Sequence, residues 1–209
     1  MHKDVAKVLF SAEDIEKRCL EMASKISEDY KDDPPIVVGL LKGCIPFMWE
    51  LIKRIDINIE IEYMDVTSYE GSESTGDVKI LKDLDRSIIG RHILLVEDII
   101  DTGRTLKKVT ELLASKGAKS VKIATLLDKP SRRVVKIDGD YVGFVIPNEF
   151  VIGFGLDFNQ KYRNLPYVGV LKEELYKEWC YKCQIGIEMI IISIITTMDL
   201  ELLIFFHSQ

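Results

Sequence analysis

Apolar residues recur along the chain with two periods, and the alternation of these periods predicts the order of the secondary-structure elements. Apolar positions at helical spacing predict a helix over residues 11–29, with Ser11 as its N-cap. The continuous apolar run IVVGL, which follows the helix-breaking DDPP, predicts a buried strand, and PFMWELIKRI predicts the next helix. INIEIEYMDV alternates apolar and polar residues, which predicts a strand with one face wetter than the other.

The clearest pattern is a strand, a turn, a helix and a second strand in succession. Their predicted bounds are 92–97, 98–104, 105–116 and 121–127, with Gly117 ending the helix. This spacing is typical of parallel strands joined by a right-handed crossover. Further short strands are expected near 141–145 and 151–155. The chain is therefore predicted to be an α/β domain with a mostly parallel sheet, which binds ligands at the carboxyl ends of its strands.

The composition fits a folded globular domain, with 47% hydrophobic and 30% charged residues. A net charge of -6 argues against a basic face for nucleic acid. The four cysteines form no disulfide framework, and the Cys-x-x-Cys pair in CYKC lacks a partner that would complete a zinc site. Since the N-terminus also lacks the apolar core of a signal peptide, we expect reduced thiols and a cytoplasmic location.

The residues after Glu178 differ in composition from the rest of the chain. Residues 179–209 are far more apolar, but Glu188, Asp199 and Glu201 interrupt the run of roughly 20 apolar residues that a membrane helix needs. We expect a working domain over 1–178 and an atypical apolar tail over 179–209, rather than a membrane anchor.

The stretch ILLVEDIIDTGRT places three acids directly after a buried strand. Glu97, Asp98 and Asp101 repel one another unless a cation or a hydroxyl-rich ligand meets them. Thr102 and Thr105 follow, at the start of a helix that suits a phosphate group. A ligand with a phosphate at one end and a vicinal diol with its metal at the other would satisfy both halves.

Three other interpretations of this stretch compete with that one. Solvated acids, with Asp101 capping the helix, do not explain why three acids lie together. A phospho-receiver domain has such a strand at its beginning, whereas two strand-like segments precede it here. A nucleoside-triphosphate loop needs Gly-x-x-x-x-Gly-Lys-Ser/Thr, which the sequence lacks.

ILLVEDIIDTGRT resembles the binding signature of type I phosphoribosyltransferases, and EDIIDTG is similar to their hypoxanthine-guanine branch. Four further segments match that branch in order: GLLKG its pyrophosphate loop, SYEGSESTGDVKI its mobile lid, LLDK its purine-contacting lysine, and PNEFVIGFGLDFNQKYRNLPYVGVL its purine and metal segment. The resemblance implies the type I phosphoribosyltransferase fold, with a mostly parallel central sheet flanked by helices, a small hood region and a mobile lid loop.

The resemblance also implies the reaction and its components. The 5-phosphoribosyl group of phosphoribosyl pyrophosphate is transferred to hypoxanthine or guanine, with Mg²⁺ as cofactor, giving IMP or GMP and pyrophosphate. A homodimer or homotetramer is implied, without nucleic-acid or membrane partners. The alternative is a regulatory protein of the same fold that binds a nucleotide and RNA or DNA, but the net charge of -6 disfavours it.

The resemblance implies roles for the individual residues of the acidic stretch. Asp101 is implied as the general base at the purine N7. Glu97 and Asp98 are implied to bind the ribose hydroxyls and the metal, with Asp157 as a further metal contact. The residues implied to hold the 5-phosphate are Thr102, Gly103, Arg104 and Thr105.

The other segments supply the remaining implied contacts. Pyrophosphate is assigned to Leu41, Lys42, Gly43 and Arg163, and the family can have a cis bond at the position of Leu41 and Lys42. The purine is assigned to Lys129, Phe150 and Val151, and the lid to Ser68 and Tyr69. Without the resemblance, Phe150 is interpreted as core and Arg163 as a solvated surface residue. Lys42 is then equally well explained as a surface lysine, and Asp157 as an ordinary turn aspartate. Arg132 and Arg133 could join Lys129 at a phosphate, although a solvated loop is the favoured interpretation for the two arginines.

Overall fold

The computed structural model describes residues 1–68 and 78–177. Two compact units are present, and their described parts are residues 7–68 with 78–170, and residues 1–6 with 171–177. Several predicted features lie outside the described residues: Tyr69 with the following part of the predicted lid, and the apolar tail with its CYKC pair.

The described residues include nine strands, three α-helices and one 3-10 turn, and residues 173–177 are also helical. The strands are β1 Val5–Phe10, β2 Ile36–Leu41, β3 Glu60–Ser68, β4 Val78–Lys82, β5 His92–Ile100, β6 Ser120–Asp128, β7 Tyr141–Val145, β8 Val151–Ile152 and β9 Val168–Leu171. The helices are α1 Ala12–Asp29, α2 Cys44–Ile52 and α3 Arg104–Ser115, and the 3-10 turn is Pro130–Arg132.

Six strands make the main sheet, in the order β4-β3-β2-β5-β6-β7. All neighbours in it are parallel except the antiparallel pair of β3 and β4. A smaller sheet has the order β1-β9-β8. Because the core strands are parallel, the carboxyl ends of β2, β5 and β6 meet at one edge of the sheet, where ligands are expected.

Apolar side chains fill a core on each face of the main sheet. On one face, residues of α1 and α2 such as Ile15 and Phe47 pack with Val37 and Leu94 of the strands. On the other face, residues of α3 such as Val109 pack with the alternate strand positions. The predicted α/β fold, a mostly parallel sheet with helices on both sides, is confirmed.

The predicted N-terminal helix is confirmed as α1, and its first turn shows why it begins where it does. The Asp14 backbone N–H donates to Ser11 Oγ at 3.1 Å, and the Ser11 N–H donates to Asp14 Oδ2 at 2.9 Å. This reciprocal capping box satisfies two backbone donors that a helix start otherwise leaves unpaired. None of the helices in the described ranges has the length and apolar character needed to cross a membrane.

β5 is longer than predicted. The sequence pattern ends this strand at residue 97, but its parallel pairing with β6 continues to Ile100 opposite Asp128. Asp98 is therefore a strand residue and not a turn residue. The turn before α3 is correspondingly short, which brings the acids close to the helix N-terminus.

Candidate functional site

The site begins where the turn after β2 packs against the acids of β5. Gly43 leaves no room for a side chain, because a Cβ atom there would overlap Asp98 Oδ2 and lie 2.6 Å from Asp98 Cγ. Gly155 packs closely against Gly43, because a Cβ atom on Gly155 would lie 3.0 Å from the carbonyl carbon of Gly43. The peptide bond between Leu41 and Lys42 is cis. Three segments that are distant in sequence therefore meet at the Asp98 carboxylate.

Glu97 and Asp98 form a pair of acids in which Asp98 is buried and Glu97 is half-buried with its Oε2 atom inside. Burial raises the pKa of Glu97 well above its usual value, and the neighbouring Asp98 charge adds to the shift. Burial also raises the pKa of Asp98, while the Arg163 charge lowers it and the Asp157 charge raises it. Glu97 Oε2 is buried without a hydrogen-bond partner among the described residues. An acceptor in this condition is ready for a ligand hydroxyl or a cation.

This pair predicts a pH effect on the unliganded protein. Because both pKa values are higher in the folded protein than in the unfolded chain, folding binds protons here, and this stabilisation is lost as the pH rises through the folded pKa values. Glu97→Gln removes one of these charges, so its melting temperature should exceed that of the wild type by several degrees at pH 8 and approach it near pH 4. Differential scanning calorimetry without Mg²⁺ measures the difference.

Glu60→Gln is the matched control for this pH effect. Hydrogen bonds from Arg91 and Arg86 lower the pKa of Glu60, so its contribution has the opposite sign and is present at neutral pH. The control should therefore be less stable than the wild type at pH 8. A Glu97→Gln variant that loses stability on raising the pH as steeply as the wild type would contradict the prediction.

A cavity of about 170 Å³ opens beside this pair, at the start of α3. The residues that line it are Leu40, Glu97, Ile99, Ile100, Asp101, Thr102, Gly103, Thr105 and Leu106. Gly103 is the N-cap of α3 and has φ +79°, a left-handed conformation that favours glycine. The unpaired N–H groups of the first helical turn make such a cavity suited to an anion.

Three of the four residues predicted to contact the phosphate line this cavity, namely Thr102, Gly103 and Thr105. Arg104 begins α3 but its side chain is exposed and does not line the cavity. The interpretation of Asp101 as the helix cap is wrong. Gly103 occupies the cap position, and no side chain makes a capping hydrogen bond there.

Asp101 lies at the rim of the cavity and faces a basic loop. Arg132 Nε donates to Asp101 Oδ1 at 3.1 Å, and both side chains are about half exposed. Arg133 donates to the carbonyl oxygens of Ile100 and Asp101. The interpretation as a solvated loop residue is therefore wrong for Arg133, whereas Arg132 is exposed, as that interpretation expects. The sequence contains a signal for this contact, because a run of basic residues directly follows β6 and the neighbouring strand β5 ends in acids.

Lys129 is buried, with only 7% of its surface exposed. Burial lowers its pKa, and the nearby Asp101 charge opposes this shift. Its backbone N–H donates to the Ile100 carbonyl at 3.0 Å, which fixes it at the end of the β5 and β6 pair. A buried ammonium group here is available to a carbonyl oxygen of a ligand.

Phe150 precedes β8 and is 37% exposed, so the interpretation of this ring as core is wrong. It makes an edge contact with Phe158, with ring centroids 5.5 Å apart. Val151 is buried and pairs with Val170 of β9. An exposed aromatic face beside ordered backbone can stack on a planar ligand.

Asp157 and Arg163 lie in one tight loop. Arg163 Nη2 lies 2.8 Å from Asp157 Oδ1, and Arg163 Nη1 donates to the Gly155 carbonyl at 2.7 Å. The second Asp157 oxygen accepts from the Gln160 N–H at 2.8 Å. Both charged side chains act on the pKa of Asp98, so the loop contributes to the same site. Lys42 is exposed next to Gly43, and Ser68 ends β3.

The comparisons with known proteins agree with this geometry. Residues 6–159 match the family model of the phosphoribosyl transferase domain. The hypoxanthine-guanine phosphoribosyltransferase of Staphylococcus epidermidis is 56% identical over 179 residues, which cover 85% of this chain and 100% of that protein. The corresponding protein of Streptococcus pyogenes is 52% identical and is covered to 99%.

A solved structure of a hypoxanthine phosphoribosyltransferase from Staphylococcus aureus has a TM-score of 0.82 and 52% identity, over 84% of this chain and 96% of that one. The family match, the identities and the shared fold lead to one conclusion. This chain belongs to the phosphoribosyl transferase family, in its hypoxanthine-guanine branch.

Proposed function

We propose that this protein is a purine-salvage enzyme that transfers the 5-phosphoribosyl group of phosphoribosyl pyrophosphate to hypoxanthine or guanine. The products are IMP or GMP and pyrophosphate. One observation carries the proposal: a cavity at a helix N-terminus, suited to a phosphate, adjoins an acid pair with a buried, unsatisfied oxygen. A sugar phosphate has the complementary groups, and the named relatives are hypoxanthine-guanine phosphoribosyltransferases.

The donor fits the cavity with its 5-phosphate at the first turn of α3. The backbone N–H groups and the hydroxyls of Thr102 and Thr105 would bind the phosphate oxygens. The ribose hydroxyls would then meet Glu97 and Asp98, and a hydroxyl that donates to Glu97 Oε2 would satisfy its missing hydrogen bond. Gly43 and Arg163 adjoin the same acids, and they would bind the pyrophosphate together with Leu41 and Lys42.

The purine fits between the acidic stretch and the basic loop. Phe150 would stack on the ring, Val151 would offer backbone groups to its edge, and Lys129 would donate to the O6 carbonyl. As the bond from C1 to pyrophosphate breaks, a ring nitrogen forms the new bond to C1, and Asp101 takes the proton from N7. Developing charge on O6 is stabilised by the buried Lys129 ammonium group. Ser68 and Tyr69 are proposed to belong to the lid that excludes water.

A magnesium ion is proposed as cofactor, since the donor set fits one. Glu97, Asp98 and Asp157 supply oxygen ligands, the type that Mg²⁺ prefers. No group of three or more His, Cys, Asp or Glu side chains in residues 1–68 and 78–177 forms a ready-made metal site. An ion that keeps several waters and shares the ligand's oxygens needs no such group. Bound magnesium would neutralise the charge of the departing pyrophosphate.

An assay of nucleotide formation tests the proposal. The full chain, with phosphoribosyl pyrophosphate, Mg²⁺ and either hypoxanthine or guanine, should form IMP or GMP, respectively, with an equal amount of pyrophosphate, and a chelator should stop the reaction. Chromatography of both products measures the yield. If the folded protein forms neither IMP nor GMP, the proposal is wrong, and binding of labelled RNA or DNA would then support the regulatory alternative.

The assay also tests the proposed extent of the domain. We propose that residues 1–178 form the working domain, in the cytoplasm and as a homodimer or homotetramer. A chain that ends at Glu178 should keep the kcat of the full chain, and a large loss would show that the tail takes part. Light scattering coupled to gel filtration gives the number of subunits.

A further inference from the structure

Arg133 lies behind the acidic stretch and holds two strand ends together. Its Nη1 donates to the carbonyl oxygen of Ile100 at 2.9 Å and to that of Asp101, and its Nη2 contacts the Asp128 carboxylate. The side chains of Arg133 and Asp128 are each 13% exposed. One largely buried guanidinium group therefore contacts the end of β5 and the end of β6 at once.

These contacts lie at the end of the sheet pairing, where the last bond is that from the Lys129 N–H to the Ile100 carbonyl. The parallel pairing of β5 and β6 ends with Ile100 opposite Asp128. Asp101 and Lys129 follow immediately, beyond the last pair. Arg133 binds the backbone of Asp101 directly and holds Lys129 through the adjacent Asp128. The two backbone segments that carry the side chains assigned to the N7 proton and the O6 oxygen thus share one arginine.

The rest of the loop supports the same arrangement. The Val134 N–H donates to the Thr102 carbonyl at 3.1 Å. A Cβ atom at Gly103 would lie 3.1 Å from Arg133 Cδ, so the aliphatic part of the arginine packs against the helix cap. The loop after Lys129 therefore contacts the turn along its length from Ile100 to Gly103.

We propose that Arg133 is a positioning residue of the transfer reaction, which sets the spacing of Asp101 and Lys129 across the purine without touching the substrate. This inference rests on the proposed function. A planar guanidinium fork suits the role, because it reaches two carbonyls and a carboxylate in fixed directions. A lysine would keep the charge but lose the fork.

The test compares Arg133→Ala with the wild type in the full chain. A shift of about 1 Å in reacting groups can lower a rate about 10²-fold, so kcat for IMP formation should fall about 100-fold. The KM for the donor should change little, because its phosphate binds to backbone N–H groups of α3. Millimolar guanidinium chloride should restore part of the lost kcat, since the ion can occupy the vacated site. Loss of general stability would not respond in this way.

Arg86→Ala is the matched control. Arg86 also bridges two groups, since it donates to Glu62 at 2.7 Å and to Glu60 at 2.6 Å, and Glu62 is buried. These acids lie opposite the beginning of β2, at the far end of the sheet from the site. The control should lose melting temperature, keep kcat within about twofold, and show no response to guanidinium.

Three outcomes would overturn the inference: an unchanged kcat in Arg133→Ala, an equal loss of kcat in the control at equal loss of melting temperature, or no guanidinium response. If Arg133→Ala does not fold, Arg133→Lys replaces it, with an expected loss of about 10-fold in kcat for the missing fork. A folded lysine variant with wild-type kcat would equally overturn it. Failure of the wild type to form IMP would instead overturn the proposed function.

Discussion

Asp101→Asn is expected to lower kcat for IMP formation about 10³-fold while leaving the affinity for phosphoribosyl pyrophosphate within a few-fold. General acid–base groups contribute about 10² to 10⁴ to a rate, and an amide of the same shape cannot accept the N7 proton. The donor should still bind, because the cavity offers it the helix N-terminus and the Glu97 and Asp98 pair. Steady-state kinetics with hypoxanthine, together with calorimetric titration of the donor, separates the two effects.

The ion pair at Asp101 provides the control for this prediction. Asn at this position also removes the negative charge that pairs with Arg132 Nε, although its amide oxygen is still an acceptor. Arg132→Gln breaks the same ion pair and keeps the carboxylate, so it should lose far less turnover than Asp101→Asn. Equal losses in the two variants would assign the effect to the ion pair. An unchanged kcat in Asp101→Asn would refute the role as base.

Local patterns were sufficient to predict much of the fold. Ser11 and the helical spacing after it specify α1 through contacts within a few residues, and the structure confirms the helix. The order of strand, helix and strand from β5 to β6 also follows from local periodicity, because parallel strands need a crossover. The three acids of ILLVEDIIDTGRT likewise identified the site from local sequence, because three acids that repel one another lie within one segment.

Features that depend on distant partners could not be predicted in this way. The alternation in β3 predicts Ile61 on the dry face, yet Ile61 is 44% exposed and Glu62 is 5% exposed. Glu62 is buried because Arg86, 24 positions later, donates to it. Likewise, the extension of β5 to Ile100 depends on its pairing with β6. Neither partner is apparent from the local period.

The basic loop after Lys129 is a further feature that depends on a distant partner, and it lies at the site itself. A run of Lys, Pro, Ser and two arginines has the composition of a solvated loop. Arg133 becomes largely buried only because the acidic stretch, about 30 positions earlier, presents two carbonyls to it. Sequence reasoning identified the residues assigned to the ligand, and it missed a residue that holds them in place.

Gly43→Ala should lower kcat/KM for phosphoribosyl pyrophosphate by at least about 100-fold. The backbone at Gly43 has φ -62° and ψ -34°, which any residue adopts, so the objection to alanine is space and not conformation. The new Cβ would overlap Asp98 Oδ2, and Asp98 is buried, with 8% of its surface exposed. The carboxylate must therefore move away from the position proposed for the ribose and the metal, and a misplacement of about 1 Å can cost about 10²-fold.

Overpacking should also cost about 1–3 kcal/mol of stability, so the control must separate stability from activity. Gly90→Ala serves this purpose. Gly90 has φ +71°, which strains an alanine, but nothing lies within 4 Å of its Cβ position. It should lose melting temperature by a similar amount and keep kcat/KM. Because the two variants add the same methyl group, a loss of donor utilisation confined to Gly43→Ala is a local effect at Gly43 and Asp98 and not a loss of stability. Equal activity in both variants would show that the Asp98 carboxylate has no part in binding the donor.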